Sequence, residues 1–176
     1  MDARILFAGF GGQGILFAGK LLANKALIED RYISWLPSYG PEMRGGTANC
    51  AVCIGASPIG SPIVNDPDIL VAMNLPSLDK YEAAVQPGGM IFVDSTLIER
   101  KVTRDDVKVF YIPATAMARE MNAPTLANMI ILGKLLKELP ELGTANIEAA
   151  LKKVISARHM DLLEVNLNAI RAGENA

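Results

Sequence analysis

Cysteine and histidine are close to absent from this sequence, at two residues of the first and one of the second in 176. A closed zinc site takes four ligands, so Cys50, Cys53 and the distant His159 cannot complete one within the chain. A serine–histidine–acid triad is excluded on similar grounds. His159 stands in a charged helix-start context that suits a solvated or capping residue. No run of about 18 apolar residues occurs, so no transmembrane helix is expected. The chain opens with Asp2 and Arg4 directly into a strand-like run, so no secretory leader is expected and the cytoplasm is the expected compartment. Basic residues are scattered, with Arg100-Lys101 and Lys152-Lys153 the two adjacent pairs, and the net charge is −2. Nucleic-acid binding therefore has no electrostatic footprint here. No Gly-Lys-Ser/Thr follows the glycine-rich loop near the start, which excludes a Walker A phosphate site.

What is present fits a globular protein, with 51% apolar and 20% charged residues. The low net charge and slightly high apolar share point to surface buried against a partner. The length allows one domain, residues 1–176, with a sizeable core. Ala3–Phe10 is apolar without alternation, which suits a strand buried on both faces of a parallel sheet. A helix is expected from about Gln13 to Glu29, with Gly14, Ala18, Gly19 and Ala23 allowing close packing on the sheet. Strands follow at Tyr32–Leu36 and Thr47–Ile54, then a short edge strand at Ile59–Val64 with Pro62 at its margin. Further strands are read at Ile69–Met73, Met90–Asp94 and Val107–Ile112, and a helix at Ser77–Val85. The last third reads as helical: from Ala114, broken by Pro124, resumed at Leu126–Leu139 and ended by Pro140. Two more helices are expected at Asn146–Ala157 and Asp161–Ala172. Alternating strands and helices followed by helices predict an α/β, Rossmann-like layered fold, its sheet mainly parallel or mixed. Cys50 and Cys53 fall on one strand, three residues apart, and so point to opposite faces. That geometry favours buried structural thiols over a metal or redox pair.

Two segments carry chemistry. Gly9-Phe10-Gly11-Gly12-Gln13-Gly14 has the form of a dinucleotide fingerprint, with a strand before it and a helix after it. Such a turn brings backbone amides at a helix N-terminus toward an anion. The nicotinamide reading also needs an acid at the end of the second strand, and that strand ends Leu36-Pro37-Ser38. A plain backbone turn, another anion and a neighbouring subunit stay open beside it. Tyr39-Gly40-Pro41-Glu42-Met43-Arg44-Gly45-Gly46 is too rich in breakers for a helix or a strand interior. Loops that leave strand ends line the crevice of an α/β sheet. Arg44 could hold a carboxylate or phosphate bidentately, or pair with Glu42 and stiffen the loop. Asp94-Ser95, at another strand end, could face the same crevice or start a turn.

The two motifs together closely resemble the gamma subunits of the 2-oxoacid:ferredoxin oxidoreductases. Ser61-Pro62, Asp68-Ile-Leu-Val-Ala-Met-Asn74, Pro87-Gly-Gly89, Asp94-Ser95 and Asn128-Met-Ile-Ile-Leu-Gly133 extend the likeness over nearly the whole chain. The loop Tyr39–Gly46 is most similar to that of the 2-oxoglutarate type; pyruvate and branched-chain 2-oxoacids are the alternative substrates. The resemblance implies a subunit of an enzyme that decarboxylates a 2-oxoacid on thiamine diphosphate with Mg2+. Electrons pass through [4Fe–4S] clusters to ferredoxin or a similar acceptor, and the acyl group goes to coenzyme A. Alpha, beta and, where present, ferredoxin-like delta subunits are the implied partners; dimerisation of the isolated chain stays open. This chain has two of the four thiolates that a cluster needs and no Gly-Asp-Gly thiamine signature. The expected role is therefore assembly plus a share of the coenzyme A crevice, carried by Gly9, Gly11, Gly12, Gln13, Gly14, Glu42, Arg44, Gly45 and Gly46. No residue of this chain is expected to act chemically. A stand-alone dinucleotide-binding protein and a non-catalytic assembly module are the rival readings.

Overall fold

The computed structural model describes residues 2–38 and 47–176. Along the chain run β1 (Ala3–Phe10), α1 (Ile15–Ile28), β2 (Tyr32–Ser38), β3 (Thr47–Gly55), β4 (Ile69–Ala72), α2 (Leu75–Tyr81), β5 (Met90–Asp94) and β6 (Lys108–Ile112). Four helices follow: α3 (Ala114–Glu120), α4 (Ala127–Glu138), α5 (Ile147–Val154) and α6 (Leu163–Glu174). Among the described residues the strands form one six-stranded sheet in the order β2-β3-β1-β4-β5-β6. β1, β4, β5 and β6 are parallel neighbours, while β3 is antiparallel to both β1 and β2. β2 therefore runs parallel to β1, with β3 between them. The expected α/β layered fold is present, and its sheet is mixed.

The non-alternating apolar strands are explained by burial on both sheet faces. Ile5 and Phe7 of β1 join a core with α1, α3, α4, α5 and α6. Leu6 and Ala8, one residue out of phase, join a smaller core under Leu78 of α2. The larger layer is drawn tight where α4 crosses α6. A Cβ at Gly133 would fall 2.0 Å from the Ile170 carbonyl oxygen, and one at Gly173 would fall 1.8 Å from that of Ile130. The two backbones touch there, which a side chain would prevent. A fully buried lysine ties the layer to its loops: Lys25 Nζ meets Glu29 Oε1 at 2.6 Å and the Leu142 carbonyl at 2.5 Å. Without those partners the ammonium would lie uncompensated in the core.

Cys50 and Cys53 are both buried, as their strand position implies. Cys50 Sγ approaches the Ile15 carbonyl beneath α1, and Cys53 Sγ approaches that of Ser61. Burial pushes the Cys50 thiol up to about 12, so it stays protonated and unreactive at neutral pH.

The expected edge strand Ile59–Val64 is not a strand. β3 already has β1 on one side and β2 on the other, so no open edge is left for it, and Pro58, Gly60 and Pro62 break the run. Helix ends shifted for local reasons. α2 starts two residues early because Asn74 caps it, its Oδ1 accepting from Ser77 N at 2.8 Å. A 3-10 segment, Glu82–Ala84, completes the stretch read as one helix. The last helix starts at Leu163, after a 3-10 segment Ala157–Leu162 in which no residue is buried.

Candidate functional site

The carboxyl ends of β1, β2, β4, β5 and β6 share one edge of the sheet, and the glycine turn lies on it. Phe10, the last residue of β1, pairs with Thr47 at the start of β3, and Ser38 pairs with Asn49. Both anchors of the Tyr39–Gly46 segment therefore stand at the edge that carries the turn. The segment itself, with Glu42, Arg44, Gly45 and Gly46, lies outside the described residues.

Within the turn the glycines differ. Gly12 has φ +92°, and a Cβ there would meet nothing within 4 Å among the described residues. Gly14 has φ +73° and opens α1 with no acidic residue in the first turn and, among the described residues, no side-chain cap. Gly11 is exposed, and Gly9 closes β1. Gln13 turns inward: its Oε1 accepts from Phe10 N at 2.6 Å, and its Nε2 donates to the Met73 carbonyl at 2.9 Å. The side chain expected to face a ligand thus has its amide engaged at the end of β4.

A cleft of about 460 Å³ opens beside the turn, lined by Gly12, Gly14, Phe17, Asn128, His159 and Asn166, among others. Asn128 Nδ2 donates to the Gly14 carbonyl at 3.0 Å, while Asn166 Nδ2 donates to that of Leu162. The Oδ1 atoms of both are buried without a hydrogen-bond partner among the described residues. Sequence reading treated Asn128 as part of a family motif and passed over Asn166. Their polar character inside apolar helical runs was the available signal. His159, exposed on the 3-10 segment, is the cleft's titratable side chain. A larger groove of about 560 Å³ between α5 and α6 is internally satisfied, with Lys152 on Glu148 and Thr144 on Glu174.

Asp94 does not face the crevice. It is fully buried and accepts from Thr96 N, Thr115 N and Thr115 Oγ1, the last at 2.5 Å, so it closes the turn into α3. Insertion of β3 also alters the dinucleotide logic. It moves the end of β2 about 10 Å from β1, two strand spacings away, beyond the place where a ribose-reading acid acts. Nor do the thiols fit an iron–sulfur cluster, because Cys50 and Cys53 are buried on opposite faces of β3. Among the described residues no group of three His, Cys, Asp or Glu side chains could hold a metal ion. No helix there is long and apolar enough to cross a membrane.

Fold and site define an α/β domain that presents a glycine turn at the carboxyl edge of a mixed sheet. The chain belongs to the pyruvate ferredoxin/flavodoxin oxidoreductase family, whose profile matches residues 4–176. It is 39% identical over 173 residues to ketoisovalerate oxidoreductase subunit VorA of Methanothermobacter thermautotrophicus, covering 98% of this chain and 36% of that protein. The chain thus spans about a third of the length of its VorA relatives. It is 37% identical over 154 residues to 2-oxoglutarate synthase subunit KorC of Methanocaldococcus jannaschii, covering 86% of this chain and 82% of that one. The keto/oxoacid ferredoxin oxidoreductase gamma subunit of Geobacter sulfurreducens superposes with a TM-score of 0.83 at 28% identity, covering 97% and 95%. The resemblance to gamma subunits read from the two motifs is borne out.

Proposed function

We propose that residues 1–176 act as one gamma-type domain of a cytoplasmic, multi-subunit 2-oxoacid:ferredoxin oxidoreductase that forms an acyl-CoA. Thiamine diphosphate, Mg2+ and [4Fe–4S] clusters belong to the alpha, beta and delta-type partners. This chain contributes assembly surface and one wall of the coenzyme A crevice. The observation that carries the reading is the meeting, at one sheet edge, of the glycine turn and both anchors of the Tyr39–Gly46 segment. There, backbone amides at the start of α1 suit a phosphate, and Arg44 is the residue assigned to a second anionic group. 2-Oxoglutarate is the proposed substrate, on the likeness of Tyr39–Gly46 to the 2-oxoglutarate type and of most of the chain to KorC. A branched-chain 2-oxoacid is the second reading, favoured by the VorA likeness.

The test is turnover of the assembled complex with each oxoacid, read as viologen reduction, alongside Arg44→Ala and Gly12→Val. Arg44→Ala is expected to raise the KM for coenzyme A about tenfold or more, the loss of one charge-assisted hydrogen bond. Unchanged rates and unchanged coenzyme A affinity in both variants would sink the crevice assignment. Preference for ketoisovalerate would overturn the 2-oxoglutarate assignment and leave the class intact.

A further inference from the structure

The glycine turn combines two left-handed residues, Gly12 and Gly14, with a helix start that has no side-chain cap among the described residues. Free glycine backbone samples many conformations, so something must select this one. Two side-chain amides grip the turn. Gln13 reaches back to Phe10 N and across to the Met73 carbonyl, joining the turn to the end of the neighbouring strand β4. Asn128, on α4 and 114 residues along the chain, holds the Gly14 carbonyl, which also accepts from Ala18 N of α1.

The grip accounts for two of the glycines. A Cβ at Gly9 would fall 2.6 Å from Gln13 Oε1 and 2.7 Å from Ile15 Cδ1. One at Gly14 would fall 2.3 Å from Asn128 Nδ2. Gly9 is thus small because Gln13 and Ile15 occupy the space, and Gly14 is held to glycine both by its φ of +73° and by Asn128, whereas Gly12, with open space before it among the described residues, is held by its φ alone. We infer that Gln13 and Asn128 are positioning residues: they hold the Gly11–Gly12 apex in the shape that meets coenzyme A. This rests on the crevice reading proposed above. It removes Gln13 from the ligand contacts and adds Asn128, 5% exposed, as the second holder of the turn.

The isosteric variants Gln13→Glu and Asn128→Asp keep the volume and remove the donor, leaving a carboxylate oxygen against a carbonyl. If the side chains merely fill space, both behave like the parent. If they position the turn, amide hydrogen exchange at residues 10–17 of the assembled complex accelerates. The KM for coenzyme A then rises about five- to tenfold, the effect of one misaligned contact, while kcat stays within about twofold. Gln13→Ala and Asn128→Ala are expected to follow the same pattern. Unchanged exchange in the isosteric variants overturns the inference. So does faster exchange with an unchanged KM, provided that Gly12→Val, which alters the apex itself, does raise the KM. If Gly12→Val also leaves the KM unchanged, it is the crevice reading that fails, and the positioning role for coenzyme A falls with it.

Discussion

Glu82 shows how one carboxylate organises a long connection. Burial alone would raise its pKa, yet it lies below the usual carboxylate range because donors outnumber that cost. Thr103 N and Thr103 Oγ1 both donate to Oε1, at 2.5 and 2.8 Å, and Arg100 Nη2 donates to Oε2 at 2.7 Å. These bonds pin the segment between β5 and β6 to the end of α2. Because the folded pKa is depressed, the stabilisation is fully present above the unfolded value of about 4.3 and is lost as pH falls through the folded one. Glu82→Gln is expected to cost about 1–3 kcal/mol at pH 7, since a charged acceptor is replaced by a neutral one. Near pH 3 the gap to the parent narrows. Thermal melts at the two pH values measure this, and a gap of the same size at both would refute the assignment.

The α4–α6 crossing depends on two absent side chains. Gly173→Ala would place a methyl group 1.8 Å from the Ile130 carbonyl oxygen, and rigid backbone on both sides cannot yield locally. The helices must separate, at an expected cost of about 2–4 kcal/mol from lost packing. Denaturant unfolding reads this directly, and a loss below about 0.5 kcal/mol, the scale of an ordinary surface change, would mean that the crossing adapts. Gly133 lies in a helix read from the sequence and Gly173 one residue past the end read for the last helix, and their pairing is a tertiary fact with no local signal. Strands buried on both faces were legible for the opposite reason, because an unbroken apolar run such as Ile69–Ala72 has few alternatives. Ile59–Val64 misled because its composition suits an edge, and only the pairing of β3 on both sides shows that no edge exists there. The site divides in the same way. The glycine turn was legible as backbone chemistry. The inward aim of Gln13 and the reach of Asn128 over 114 residues depend on packing that no short window contains.

At the scale of the whole molecule, the proposed place in a complex accords with the surface. Net charge is small, large apolar side chains such as Phe10, Leu36, Leu162 and Met160 stand exposed, and the 3-10 segment before α6 buries none of its residues. A monomer that exposed such groups around its candidate site would carry an association-prone surface. The two thiols, buried on opposite faces of β3, are half the number that a [4Fe–4S] cluster takes. It follows that the purified chain should carry no iron–sulfur absorbance after anaerobic iron and sulfide treatment. It should also show no 2-oxoacid-dependent viologen reduction, whether or not thiamine diphosphate, Mg2+ and coenzyme A are supplied. Adding alpha- and beta-type partners should restore turnover, and leaving this chain out should abolish coenzyme A-dependent product while the partners keep their own iron. Cluster absorbance on the chain alone, or turnover by it, would show that the chemistry lies within these 176 residues after all. Full acyl-CoA formation by the partners without it would reduce the chain to an assembly module with no share in the crevice.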